Sequence, residues 1–433
     1  MNHTTSLDRN IAPPIGDFSA RTLPLPETRL LSNGIRRYCF HRPDYELIRI
    51  DVVCPTGAME YAPSVATMYG RMLKEGSINF KAAEIAETLD FNGAAVVAAP
   101  SNHNIVISLT ALRRNIDKVL PVFFDLLASP VFPEKELEAV KRQMLVELKC
   151  NRETPSYNAR EHMRHILGGE GHRYGMKESE SGIMQIDRDM LESCRRRCLD
   201  PRNIAVFIAG YADKALTDEI DSRLESIDDC GCKPVIYDLP FTPLPAGVRK
   251  VHVEGSLQNC VLMATLVDAR NTETPDYWAL RLGTHALGGY FGSRLMQNIR
   301  EDKGYTYGIN AGISRVGNDA FVSISCDCDP AYTEGVLKET AYELERFATE
   351  PMGADELHRL RLSLASRLAG MCDTPMKIQS QYISQYIHGQ SADYYNQFWA
   401  ALDHITPQQM SEAVGRYLLA ADSYTVIAGD FNK

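Results

Sequence analysis

Gly288-Gly289-Tyr290-Phe291-Gly292-Ser293-Arg294-Leu295-Met296-Gln297-Asn298-Ile299-Arg300-Glu301-Asp302-Lys303-Gly304-Tyr305-Thr306-Tyr307-Gly308 joins a helical pattern over 277–287 to a strand pattern over 308–314. Its glycine cluster is not a phosphate loop, because no strand immediately precedes it and no Lys-Ser/Thr follows in the needed register. Two readings remain for it: helix termination with close packing, or a flexible loop beside a ligand path. Outward from this stretch lie a strand over 260–266, a second strand over 320–326 and a helix over 331–348. These lead to Glu350-Pro351-Met352-Gly353-Ala354-Asp355-Glu356-Leu357, the opening of a further helix.

The first half runs in the same order. A strand over 48–54 precedes a helix over 65–73, then come a helix over 82–91, strands over 94–98 and 104–109, and a helix over 115–127. Ser129-Pro130-Val131-Phe132-Pro133 then opens a long helix from near Glu134 past Glu147, and Glu136-Leu137 stands 220 positions before Glu356-Leu357. The chain therefore reads as a duplication. The expected class is α/β (α+β), two homologous modules that are each a mixed sheet flanked by helices. Residues 1–30 are expected to be an N-terminal extension, 31–232 one module, the proline-rich stretch 233–250 a linker, and 251–433 the other module.

At 433 residues with 44% hydrophobic content the chain exceeds a single ordinary core and is globular rather than disordered. A formal net charge of −10 disfavours a broad phosphate-binding surface, so no nucleic-acid partner is expected. Residues 1–14 mix His3, Asp8, Arg9 and Asn10 without an apolar run, which predicts no signal peptide, no membrane association and a cytoplasmic location. Eleven scattered cysteines suit a reducing compartment. The close pairs Cys230/Cys232, Cys326/Cys328 and Cys194/Cys198 lack convergent further ligands and read as ordinary thiols.

The Ser293-Arg294-Leu295, Arg300-Glu301 and Gly304-Tyr305-Thr306-Tyr307 elements closely resemble the second-half motif of the pitrilysin, insulinase and mitochondrial processing peptidase family. Leu31-Ser32-Asn33-Gly34-Ile35 resembles the lead-in to that family's opening strand, and His172-Arg173-Tyr174-Gly175 resembles its loop after the long helix. The resemblance covers nearly everything from Leu31 to Asn432. It implies two-module chains that pair to enclose a chamber for peptides, with Arg300 and Tyr307 reaching toward substrate beside a zinc ion. A guanidinium and a phenol suit that task, since both can hydrogen-bond a peptide carbonyl or a developing oxyanion. By the same resemblance Gly288 and Gly289 would border the peptide path.

Active members of the family carry His-x-x-Glu-His where this sequence has Thr67-Met68-Tyr69-Gly70-Arg71. Two imidazoles at i and i+4 share a helix face and can grip zinc while the glutamate activates water. Thr67 is a feeble ligand, Gly70 offers no base, and Arg71 is a permanent cation. The third ligand position is retained as Glu147, 76 residues after Arg71. The site is read as a degenerate zinc site of Thr67, Gly70, Arg71 and Glu147 with no metal, in which Arg71 pairs with Glu147 inside a partly buried pocket. The helix keeps a buried stripe of Val65, Met68, Tyr69, Met72 and Leu73. His162 and His165 read as surface residues and His285 as a satisfied core histidine.

The expected function is a noncatalytic subunit that binds peptide and lends Arg300 and Tyr307 to a composite site. No cofactor is expected in this chain, and zinc would sit in a partner of the same family, in a heterodimer with a homodimer left open. The competing reading is a peptidase-derived peptide-binding or assembly protein without proteolytic role.

Overall fold

Residues 47–54 bury their last five side chains in succession, as a strand covered on both faces must. In 105–112 buried and half-buried positions alternate, as in a strand with one face turned to the core. The computed structural model describes residues 10–11, 22–232, 239–419 and 421–432, so most of the expected N-terminal extension and residues 233–238 of the expected linker lie outside it.

The first half contains β1 (Glu27–Leu30), β2 (Arg36–His41), β3 (Leu47–Cys54), α1 (Val65–Met72), α2 (Ala82–Phe91), β4 (Ala95–Pro100), β5 (Ile105–Leu112) and α3 (Ile116–Ala128). It continues with α4 (Glu134–Arg152), α5 (Pro155–Gly168), α6 (Glu180–Met184), α7 (Arg188–Cys198), β6 (Ala205–Gly210) and α8 (Lys214–Glu225). The second half runs β7 (Gly247–His252), β8 (Asn259–Val267), α9 (Tyr277–Gly288), a π-helical turn (Met296–Asp302), β9 (Thr306–Val316), β10 (Asp319–Cys328) and α10 (Thr333–Thr349). It ends with α11 (Ala354–Gly370), α12 (Pro375–Ile387), α13 (Tyr394–His404), α14 (Pro407–Val414) and β11 (Ser423–Gly429). Strand β7 begins inside the stretch expected to be linker, because Gly247 to His252 pair in parallel with β11. The Leu31–Ile35 segment is the turn between β1 and β2, closed by Leu31 N–H to the Ile35 carbonyl at 2.9 Å and turned by Gly34 at φ 95°.

Two mixed sheets result, ordered β1-β2-β6-β3-β5-β4 and β7-β11-β8-β10-β9. With β1 set aside the two orders correspond strand for strand. In each the first pair is parallel, β2 with β6 and β7 with β11, and every later pair is antiparallel. Helices repeat as well: α4 and α11 start 220 positions apart, and so do α5 and α12, each opened by a proline at its first turn. The edge strands β4 and β9 are thus equivalents.

The halves are interlocked rather than merely adjacent. From the first half, α5 lays Ala159, Met163, Ile166 and Leu167 on the second sheet, in one cluster with Cys260, Leu262, Val426 and Ala428. From the second half, α12 lays Ile378, Tyr382 and Ile383 on the first sheet beside Phe40, Phe207 and Ala209. The Phe40 and Tyr382 ring centroids are 5.0 Å apart, and Gln379 donates from Nε2 to the buried Phe207 carbonyl at 2.9 Å. Among the described residues no helix is long and apolar enough to cross a membrane.

Because each sheet is covered by a helix from the other half, neither is expected to unfold alone. Leu167→Ala, in the fully buried end of α5, is expected to cost about 2–5 kcal/mol. The two tryptophans, Trp278 and Trp399, both lie in the second half and should report that loss in the same urea transition as far-UV circular dichroism. Separate tryptophan and dichroism transitions would contradict the interlock.

Candidate functional site

Helix α1 keeps the stripe read from sequence: Val65, Met68, Tyr69, Met72 and Leu73 are all buried, with Tyr69 edge-on to Phe132 at 6.0 Å between ring centroids. That stripe clamps α1 against the core and sets the opposite face, with Thr67 and Arg71 one turn apart, toward α4. Gly70 lies against the edge strand: a Cβ there would stand 3.2 Å from Ala98 Cβ in β4. The position that would hold a catalytic base is therefore also a close helix-to-strand contact.

Arg71 grips Glu147 with both arms, Nη1 to Oε1 at 2.8 Å and Nη2 to Oε2 at 2.6 Å. The side chains are 34% and 48% exposed, so the pair sits at a solvent-facing rim rather than in the partly buried pocket expected from sequence. The hydrogen bonds that Arg71 donates to Glu147 hold the Glu147 carboxyl below its usual range and raise the guanidinium above its own. These residues do not fit a zinc ion. One carboxylate is engaged on both oxygens, a fixed positive charge stands where an imidazole would be needed, and Thr67 and Gly70 supply neither ligand nor base. Among the described residues no group of three or more His, Cys, Asp and Glu is gathered so as to hold a metal.

The second set lies on the other sheet. Arg300 stands in the π-helical turn with its guanidinium carbon 4.7 Å from the centroid of the Phe291 ring and its Nε 3.4 Å from Glu301. Tyr307, in the second position of edge strand β9, is 90% exposed and makes no hydrogen bond from its hydroxyl among the described residues. Gly288 ends α9 where a Cβ would come within 2.7 Å of the Ala311 backbone nitrogen in β9, and a Cβ on Gly289 would strike the His285 ring. Close packing thus explains both glycines. Both also line a cavity of about 650 Å³ between α5 and the second sheet, with Phe291, Arg160 and Arg164. No hydrogen bond or ion pair joins the Arg71/Glu147 set to the Arg300/Tyr307 set among the described residues.

The histidines depart from expectation. His162 and His165 are half-buried, because α5 packs into the second sheet; His162 Nδ1 lies 2.9 Å from the Asn158 carbonyl. His285 is not a satisfied core residue: its ring stacks on Tyr290 at 5.4 Å, but its buried Nε2 makes no hydrogen bond among the described residues. Sequence reasoning also missed Phe291 as the platform under Arg300, although an aromatic within a glycine cluster ahead of an arginine is a usable signal. Arg160 and Arg164 were missed because nothing local to α5 announces that it crosses to the other sheet.

An exposed bidentate pair contributes roughly 0–1 kcal/mol. In a double-mutant cycle with Arg71→Ala and Glu147→Gln the coupling should stay below about 1 kcal/mol, not the 3–5 kcal/mol lost on breaking a buried pair. Since the folded carboxyl titrates below its unfolded value near 4.3, this stabilisation is present above that pH and is lost as pH falls through the folded pKa. Unfolding between about pH 5 and 3 should therefore depend less steeply on pH in Arg71→Ala. A coupling of several kcal/mol would refute the rim placement.

Residues 43–174 match the family model described as Insulinase (Peptidase family M16), and residues 185–364 match the one described as Peptidase M16 inactive domain. An uncharacterized zinc protease of Streptomyces coelicolor is 22% identical over 377 residues, 83% of this chain and 78% of that protein. A non-peptidase homolog of Helicobacter pylori is 25% identical over 263 residues, 59% of each chain. The crystal structure of a peptidase M16 inactive domain from Pseudomonas fluorescens superposes with a TM-score of 0.84 at 22% identity, covering 94% of this chain and 98% of that one. With one family model on each half of a duplicated fold, and with the two ligand positions and the base position of α1 filled by threonine, arginine and glycine, the chain is an inactive-type member of the M16 insulinase family.

Proposed function

We propose that this chain is the noncatalytic subunit of a zinc-dependent peptidase, binding peptide and lending Arg300 and Tyr307 to a site whose zinc is held by a partner of the same family. The observation that carries the reading is the two-armed Arg71–Glu147 pair, which closes the ligand positions with charge while the scaffold around them stays packed. The second supporting feature is Tyr307, whose bare phenol stands on an edge strand. Phe291 beneath Arg300 restricts the guanidinium without consuming its hydrogen-bond donors. In the composite site the two side chains would donate to the scissile carbonyl, more strongly as negative charge develops on its oxygen. The cavity bordered by Gly288 and Gly289 would receive part of the bound peptide.

A homodimer would leave neither subunit with a complete set of zinc ligands, so a distinct His-x-x-Glu-His chain is the proposed partner. The cytoplasm is the proposed compartment, since all eleven thiols are free. A second reading, a peptide-binding or assembly role without proteolysis, is favoured by the Helicobacter pylori relative's name as a non-peptidase homolog.

Peptide cleavage by this chain, by a His-x-x-Glu-His chain of the same family, and by the two mixed separates the readings. The mixture is expected to be faster than either alone, and Arg300→Ala to lower its kcat by roughly 10²–10³, with Tyr307→Phe changing kcat in the same direction. A complex that forms but cleaves no faster than the partner alone would instead establish the assembly reading.

A further inference from the structure

On the open side of β9 lies a second cavity, about 330 Å³, walled by α9, residues 310–313 of β9 and the C-terminal part of α11. Its charge is one-sided. Arg281 from α9 and Arg367 from α11 both line it, and no aspartate or glutamate does. Neither guanidinium forms an ion pair among the described residues; Arg281 instead rests over the Phe398 ring at 5.5 Å. Two further groups have unspent hydrogen-bonding capacity. Thr284 is 2% exposed, and among the described residues neither its hydroxyl nor the buried His285 Nε2 has a hydrogen-bond partner. Burial, then Arg367 and Arg281, push the His285 imidazole down to about 4. The cluster is thus left with net positive charge and no internal anion.

Helix C-termini offset part of this. His285 and Arg367 stand in the last turns of α9 and α11, each of which offers about half a negative charge that is screened by water. That falls short of two full guanidinium charges, and it leaves the buried Thr284 hydroxyl without a partner among the described residues. Beside them β9 is an edge strand, paired among the described residues with β10 alone, so alternate backbone N–H groups turn outward along the same wall. The donors are two guanidinium forks, a hydroxyl and backbone amides, a set suited to an oxyanion.

We infer that the cavity between α9, β9 and α11 is a binding site for an oxyanion, the terminal carboxylate of a peptide laid along β9 or a free phosphate, held by Arg281 and Arg367 with Thr284 beneath. Neither source requires a catalytic partner, so failure of the composite peptidase site would leave this inference standing.

The test is calorimetric titration of the full-length chain at low salt with three probes: inorganic phosphate, an acetylated tetrapeptide with a free C-terminus, and the same peptide amidated. Phosphate or the free-acid peptide should bind one to one and lose roughly tenfold or more in affinity with Arg281→Gln and with Arg367→Gln. Arg142→Gln, at an exposed arginine on α4, should change nothing. Because Arg367 is itself exposed, its variant keeps the test decisive even if Arg281→Gln fails to fold. Binding by phosphate identifies a free anion, and binding by the free-acid peptide alone identifies a chain terminus. The inference is overturned if no probe saturates the folded chain, if the amidated peptide binds as well as the free acid while phosphate does not bind, or if Arg367→Gln binds like the parent.

Discussion

The reciprocal packing of α5 on the second sheet and α12 on the first joins the two halves into the one body that carries the sites. Each helix carries its own apolar stripe, four residues on α5 and three on α12, against apolar side chains of the opposite half's sheet. Burying such side chains is worth about 1.5–3 kcal/mol each, enough to make the two sheets one cooperative body. The consequence reaches function: the 650 Å³ cavity has a first-half wall, α5, and a second-half floor, and it exists only because the helix crosses over.

Within that frame, loss of the zinc ligands leaves the local structure intact. The stripe that holds α1 in place lies on the face opposite Thr67 and Arg71, so substitutions there leave the core untouched. Arg71 supplies permanently and covalently the positive charge that Glu147 would otherwise face as a metal. At a rim with both side chains partly in water, the exchange costs little in desolvation and adds little stability. Gly70 is coupled differently. Its lack of a Cβ relieves a 3.2 Å approach to Ala98, so the missing base and the packing of α1 on β4 share one position.

Much of this was legible in the sequence. The strands of the central hairpins and the helices α1 to α4 and α9 to α11 carry strong periodicity, and their order repeats at a near-constant offset. The parallel strands β2, β6, β7 and β11 were not identified. All but one are six residues or fewer, and a short buried run such as 205–210 carries no alternation to distinguish it from helix. The Arg71–Glu147 pair could be inferred because the resemblance supplied its spacing; its exposure could not, since burial depends on how α4 and α1 meet. Long-range placement also hid the arginine-lined cavity: Arg281 and Arg367 lie 86 positions apart on separate helices, and His285 in isolation looked like a core residue.

Whether a side-chain cation stands in for a metal on an otherwise retained scaffold is measured most directly by zinc content. The unaltered chain, purified and dialysed against zinc, should carry no stoichiometric metal. Thr67→His combined with Arg71→His should bind about one zinc per chain, as two imidazoles at i and i+4 with a carboxylate require, and lose it again when Glu147→Gln is added. Stoichiometric, chelator-removable zinc in the unaltered chain would contradict the account, as would a folded double variant that binds none.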